Sequence, residues 1–125
     1  MLIHVDVQDK QLTVIVQERD LNQLSLTVSS WFATEGYRLE TGTPLNAVYG
    51  KGSALLRFFL GGFVKRYKYS VRIFIDHYGN GAIQVAPAHA GWSGGLLGIN
   101  QTKKEFERIK QMFPQRFQAP PPQMF

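Results

Sequence analysis

Three histidines have the widest chemical range in this chain, and their spacing limits what they can do. They stand at His4, His77 and His89. A metal site in a protein usually needs two ligands at a short helix or hairpin spacing, together with further ligands. No pair of these histidines has such a spacing. We therefore expect no metal site and no cofactor.

Two other patterns resemble parts of catalytic or phosphate-binding sites. His77 follows Asp76, but adjacent strand residues point to opposite faces, and no nucleophile can be assigned to the pair. The sequence GKGS at 50–53 resembles the end of a phosphate-binding loop. Such a loop needs a glycine five residues before Gly50, where Leu45 stands. We assign no catalytic residue and expect that the protein is not an enzyme.

The charge of the chain is unevenly distributed. The 125 residues include 14 basic and 9 acidic ones, for a net charge of +5, and no acid stands between Glu40 and Asp76. That interval contains six basic residues, which are Lys51, Arg57, Lys65, Arg66, Lys68 and Arg72. Such a patch can attract nucleic acid, anionic lipid or an acidic protein, or it can be a solvated strand face.

Length and composition predict one small domain. We expect it to span residues 1–114 and to be followed by a flexible, proline-rich tail over 115–125. The chain has no cysteine, which excludes disulfides and thiolate chemistry and is compatible with a cytoplasmic protein. The longest apolar run, 54–64, is much shorter than the roughly 20 residues that cross a bilayer. We therefore expect no transmembrane segment.

Hydrophobic periodicity predicts six strands and two helices. The strands are expected at 2–7, 12–16, 37–41, 45–49, 63–75 and 82–87. Asp20 and Thr102 are N-cap residues that open amphipathic helices ending at Gly36 and Pro114. Four glycines in 88–100 predict a loop without regular structure between the last strand and the last helix.

The order of these elements is hairpin, helix, four strands, helix, which indicates an α+β fold. Short turns between neighbouring strands predict a curved antiparallel β-sheet with two helices packed on one face. In topology alone, this order resembles single-repeat TATA-box-binding-like (TBP-like) folds and the smaller helix-grip ligand-binding domains. A shared fold does not by itself assign a function.

The strand predicted at 63–75 separates charged from apolar residues. Its even positions include Arg66, Lys68 and Arg72, whereas its odd positions include Tyr67 and Tyr69. A slip of one residue would bury the three charges, so the register is strongly specified. Cations for phosphates and rings for bases are typical of proteins that bind single strands. Here, however, most of the cations and the tyrosines point to opposite faces.

The candidate binding surface joins these cations to two apolar segments, 54–60 and 91–98. Apolar insertion beside cationic attraction is the usual combination for binding at a membrane interface. We expect a binding module for an apolar small molecule or an anionic membrane surface. Its candidate residues are Lys51, Arg57, Phe58, Phe59, Lys65, Arg66, Lys68, Arg72, Trp92 and Leu96.

Three other interpretations stay open at this point. The basic strand 63–75 could bind nucleic acid. An exposed strand edge or the apolar loop could form a homodimer. The two apolar segments could also do no more than complete the core of the domain.

Overall fold

Six strands and two helices make up the part of the chain that the structure describes. The computed structural model describes residues 2–51, 67–88 and 95–118, with the backbone alone at 95–102. The elements are β1 (Leu2–Val7), β2 (Leu12–Val16), α1 (Leu21–Thr34), β3 (Arg38–Thr43), β4 (Asn46–Lys51), β5 (Tyr67–Ile75), β6 (Gly81–Pro87) and α2 (Gly95–Met112), followed by a 3₁₀-helix (Phe113–Phe117).

The six strands form one antiparallel sheet in the order β1-β2-β6-β5-β4-β3. The pairing of β2 with β6 joins the first hairpin to the later strands, so β5 and β6 lie at the centre. The α+β fold predicted from the order of elements is thereby confirmed. The likeness of topology to TBP-like and helix-grip folds stays a prediction.

The core lies between one face of the sheet and both helices. We call this the inner face. It carries the buried odd-numbered residues of β5 and β6 and the even-numbered residues of β2. One hydrophobic cluster joins this face to both helices, and its members include Val14, Val71, Ile83, Leu24, Val28, Phe32, Phe106 and Ile109. The opposite, outer face is half-exposed, and no described helix covers it.

Helix α1 begins as the sequence predicts. The Asp20 side chain accepts hydrogen bonds from the backbone N–H groups of Asn22 and Gln23, at 3.0 and 3.4 Å. These bonds satisfy two donors that a helix N-terminus otherwise leaves unpaired. The backbone N–H of Asp20 itself donates to Glu18 at 2.9 Å, not to Gln23 as a capping box would require. Gly36, at φ +91°, follows the end of the helix.

Helix α2 begins seven residues before its predicted N-cap. It starts at Gly95, so the loop predicted over 88–100 is wrong for 95–100, and Thr102 lies inside the helix. The glycines favoured a loop because each costs about 1 kcal/mol relative to alanine inside a helix. Packing overrides this preference. Phe106 and Ile109 fix the later turns in the core, and adding residues to an existing helix is far easier than starting one.

The packed chain continues beyond Pro114. Helix α2 ends at Met112, two residues before that proline, and Pro114 lies in the first turn of the 3₁₀-helix. The Phe117 ring lies 5.2 Å from that of Phe113, centroid to centroid, and belongs to the core cluster. Part of the predicted tail is therefore packed. The division into a domain at 1–114 and a tail at 115–125 stays a prediction, and residues 119–125 lie outside the described part.

Both edges of the sheet are irregular. The register shifts between Leu2 and His4 in β1, and between Leu39 and Thr41 in β3. Bulges at a sheet edge discourage pairing with a strand of another chain. A homodimer through a strand edge stays a prediction, and these two bulges weigh against it.

We expect Phe117→Ala to lower the free energy of unfolding by about 3 kcal/mol, because it removes a buried ring from the core. Met112 has the helical spacing of a core residue, but it is 46% exposed. Met112→Ala is therefore the matched control, with an expected change below about 0.5 kcal/mol. Urea denaturation followed by circular dichroism measures both. Small and equal effects would contradict the packing of Phe117.

Candidate binding site

A partly buried cluster of ionisable side chains joins α2 to the connection between α1 and β3. The hydroxyl of Tyr37 donates a hydrogen bond to Glu105 Oε2. Arg108 donates from Nε to Oε1 and from Nη2 to Oε2 of Glu105, at 2.7 and 3.0 Å, and it also pairs with Glu35 just beyond α1. Glu105 is only 8% exposed. This cluster is the first candidate for chemistry.

The pKa shifts in the cluster make proton transfer at neutral pH unfavourable. Burial raises the pKa of Glu105, but hydrogen bonds from Arg108 and Tyr37 outweigh it, and the net pKa lies below its ordinary value. Burial, followed by the hydrogen bond to Glu105, raises the pKa of Tyr37. A general acid or base works best when its pKa lies near the operating pH. The cluster is thus suited to fixing elements together.

Aromatic rings fill the inner face beside this cluster. Phe32 stacks on Tyr49 with 4.5 Å between ring centroids and 4° between planes. Tyr69 stacks on Phe106 at 5.7 Å, and Phe32 also contacts Phe113 at 5.8 Å. Close packing of this kind favours stability over ligand capture. A ligand-binding site is therefore more readily accommodated on the outer face.

The outer face has a depression at Ala82. This residue pairs with Phe74 on β5 and with Ile15 on β2, and Ile15 pairs in turn with His4 on β1. Paired residues of neighbouring strands point to the same face. Ala82 is itself fully buried between these larger side chains, and it lies beneath the hollow that Phe74 and Ile15 border.

The hollow is a groove of about 580 Å³, within the usual size range of small-molecule sites. Its lining residues are Ile3, His4, Ile15, Phe74, Ile75, Asp76, His77, Tyr78, Asn80 and Ala82. Ile3 reaches the groove because it is the extra residue of the β1 bulge. Simple alternation predicts that its side chain points to the core with Val5, and that expectation is wrong, since Ile3 is 47% exposed.

A fixed turn closes one end of the groove. Asp76 Oδ1 accepts hydrogen bonds from the backbone N–H groups of Tyr78 and Asn80, both at 2.9 Å. Gly79, at φ +82°, supplies the left-handed conformation that the turn requires. The carboxylate of Asp76 is therefore committed to the turn. The pair of Asp76 and His77 seen in the sequence shapes a wall of the groove.

Arg72 stands beside the other end of the groove. It is exposed, and its guanidinium carbon lies 5.6 Å from the centroid of the Phe74 ring. In the sheet register it lies between Asn46 on β4 and Gln84 on β6. Among the described residues, no carboxylate forms an ion pair with Arg72. Its charge is available to a ligand.

The other described cations of the basic interval have partners. Lys68 Nζ lies 3.4 Å from Glu40 Oε1. Glu40 reaches it across β4 because residue 50 is glycine: a Cβ there would stand 2.2 Å from Glu40 Oε2. Lys51 Nζ lies over the Tyr37 ring, 5.4 Å from its centroid, on the inner side. The three cations do not form one cluster.

The remaining predicted site residues are mostly beyond what the structure describes. Arg57, Phe58, Phe59, Lys65, Arg66 and Trp92 lie outside the described residues. Leu96 lies in the first turn of α2 and not in a loop. The apolar surface that the structure does describe is instead the groove. One signal for it was in the sequence, because Phe74 has the same strand parity as Arg72.

Comparisons with known proteins add no ligand or activity to this site. The chain matches no protein-family model, no curated protein and no solved structure. No helix within the described residues has the length and apolar character needed to span a membrane. The same residues contain no group of three or more side chains placed to hold a metal ion.

We expect the stability of the protein to fall as the pH drops below about 4.5, the ordinary pKa of a glutamate. Because the pKa of Glu105 is lower in the folded state, the unfolded state binds its proton more readily, and the stabilisation is lost in acid. Glu105→Gln should remove part of this pH dependence. At pH 7 it should lower the free energy of unfolding by about 2 kcal/mol, since Arg108 loses one of its two carboxylate partners.

Glu107→Gln is the control for that experiment. It lies two residues further along α2 and is exposed, although it pairs with Lys110 at 3.1 Å. Urea denaturation from pH 7 to pH 3 measures the free energy of unfolding of the wild type, Glu105→Gln and Glu107→Gln. An unchanged pH profile in Glu105→Gln would show that Glu105 does not stabilise the fold through its charge.

Proposed function

We propose that this protein is a non-enzymatic binding module that holds an apolar small molecule on the outer face of its sheet. The observation that supports this proposal is the groove over Ala82, on a face that no described helix covers. Binding a ligand there would remove the surfaces of Ile3, Ile15 and Phe74 from water, and that removal is the main driving force for apolar association.

The titratable groups of the groove favour binding over catalysis. Asp76 Oδ1 is occupied by two backbone donors of the turn. The His77 ring lies 4.4 Å from that of Tyr78, centroid to centroid. A catalytic histidine with an orienting carboxylate also needs a nucleophile within reach, and the described lining of the groove offers no serine, threonine or lysine.

The distribution of free charge favours a small ligand over nucleic acid. Binding to nucleic acid draws its affinity from several phosphate contacts. Lys68 is paired with Glu40, and Lys51 lies over Tyr37. Within the described part of the basic interval, Arg72 alone is exposed and without a carboxylate. An anionic membrane surface stays a weaker proposal, because its apolar residues at 54–60 lie outside the described part. A cytoplasmic location likewise stays a prediction.

We expect Ala82→Val to weaken the binding of 1-octanol, a neutral apolar probe, by about tenfold. The two added methyl groups occupy the floor of the groove and displace about two methylenes of the ligand, each worth about 0.8 kcal/mol. Amide chemical-shift titration measures the affinity and shows which amides respond. Urea denaturation confirms that the variant is folded.

Ala86→Val is the matched control, because Ala86 lies on the same strand and the same face but outside the groove. It should leave octanol binding within about twofold of the wild type. Phe74→Ala, which removes one wall, should weaken binding about tenfold as well. Equal losses in Ala82→Val and Ala86→Val, or no binding by the wild type, would contradict the proposed site.

A further inference from the structure

The groove has opposite charges near its two ends. Arg72 and Phe74 lie on the outer face of β5, and Asp76, the first residue after the strand, lines the groove. At about 3.3 Å per residue, Arg72 and Asp76 stand roughly 13 Å apart along the chain, with Phe74 between them. An anionic group is attracted to one end and repelled from the other.

The guanidinium of Arg72 is placed to bind an anion beside the groove. Its guanidinium carbon lies 5.6 Å from the centroid of the Phe74 ring, within the range of a cation–π contact. The planar guanidinium carries its N–H groups in a fixed fork that suits a carboxylate or a phosphate. A ligand chain lying on Phe74 would place its end group within reach of these donors.

Two amide side chains extend this donor set across the sheet. Asn46 and Gln84 are the register partners of Arg72 on β4 and β6, and side chains opposite each other on neighbouring strands are about 5 Å apart at Cβ. Each amide has two N–H donors. Asp6, on the same row, lies three strands away from Arg72 and accepts a hydrogen bond from Gln8 at 3.0 Å.

The next cation along β5 is neutralised. Lys68 lies four residues before Arg72 on the same face, and Glu40 pairs with it across Gly50. The outer face of β5, as far as the structure describes it, therefore offers one free positive charge next to one apolar groove. That combination fits a ligand with one anionic group and one apolar chain.

We infer that the ligand of the groove is an anionic amphiphile, with a carboxylate or a phosphate monoester bound by Arg72 and an alkyl or aryl body lying over Phe74, Ala82 and Ile15. This inference rests on the proposed function and adds the class of ligand and its orientation. The anionic group lies at the Arg72 end, and the apolar body points towards the turn that contains Asp76.

The test compares octanoate with 1-octanol, which shares its chain length and lacks the charge. Amide chemical-shift titrations at pH 7 and constant ionic strength are made on the wild type, Arg72→Gln and Lys68→Gln. We expect the wild type to bind octanoate about tenfold more tightly than octanol. Arg72→Gln should remove this preference, so that its affinities for octanoate and octanol agree within about twofold. Lys68→Gln, with the same change in net charge, should retain the preference within about twofold.

The outcomes separate this inference from the proposed function. Equal affinities of the wild type for octanoate and octanol would overturn the inference and leave the apolar site in place. Binding of neither probe would overturn both. Equal losses in Arg72→Gln and Lys68→Gln would overturn the specific role of Arg72, because they would show a general effect of net charge.

Two further probes identify the head group and test for nucleic acid. Octyl phosphate and octanoate each support the inference if Arg72→Gln weakens them, and the tighter of the two identifies the preferred anion. An oligothymidylate of eight nucleotides should bind at least tenfold more weakly than either. If it binds more tightly and loses affinity in both variants, the site is a nucleic-acid surface and the inference is overturned.

Discussion

The packing of both helices against one face of the sheet is the constraint on which the rest of this structure depends. Strand side chains alternate between two faces, so this arrangement buries one face of the sheet and leaves the other exposed to solvent. The inner face is filled by stacked aromatic rings such as Phe32 with Tyr49. The bonds of Glu105 with Tyr37 and Arg108 fix α2 to the segment before β3. The outer face is the face of the sheet that the described helices leave uncovered.

Small local features then convert a flat sheet face into a groove. The bulge in β1 places Ile3 on the same side of the strand as His4. A glycine-containing turn holds Asp76 to Asn80, and the short side chain of Ala82 leaves space between its larger neighbours. Each feature follows from elementary backbone chemistry: an extra strand residue, a positive φ angle and a short side chain. Together they place an apolar hollow next to the exposed guanidinium of Arg72.

Periodicity was sufficient to predict the elements and most of the core. The separation of even from odd residues in β5 predicted that Tyr69 and Val71 are buried and that Arg72 is exposed, and the structure confirms it. The N-cap at Asp20 was equally predictable from the sequence, because capping is a local interaction. The start of α2 at Gly95 was missed, since core packing in the later turns outweighs the poor helix propensity of the glycines.

The candidate site was only partly predictable, because charge along a sequence does not show which charged side chains have partners in the fold. Lys68 and Lys51 belong to an interval without acids, yet Glu40 and the ring of Tyr37 reach them from other elements. The groove depends on which residues face one another across β2, β5 and β6. That pairing is set by the topology of the sheet, and no local pattern in the sequence encodes it.

An isotope-filtered NOESY spectrum of the octanoate complex tests most directly whether the outer face is the binding face. We predict cross-peaks from the methylenes of the ligand to the side chains of Ile15, Phe74 and Ala82. Val14 and Ile83 are the chain neighbours of Ile15 and Ala82, and they lie on the inner face. Cross-peaks to Val14 and Ile83 in place of Ile15 and Ala82 would place the ligand in the core and contradict the proposed site.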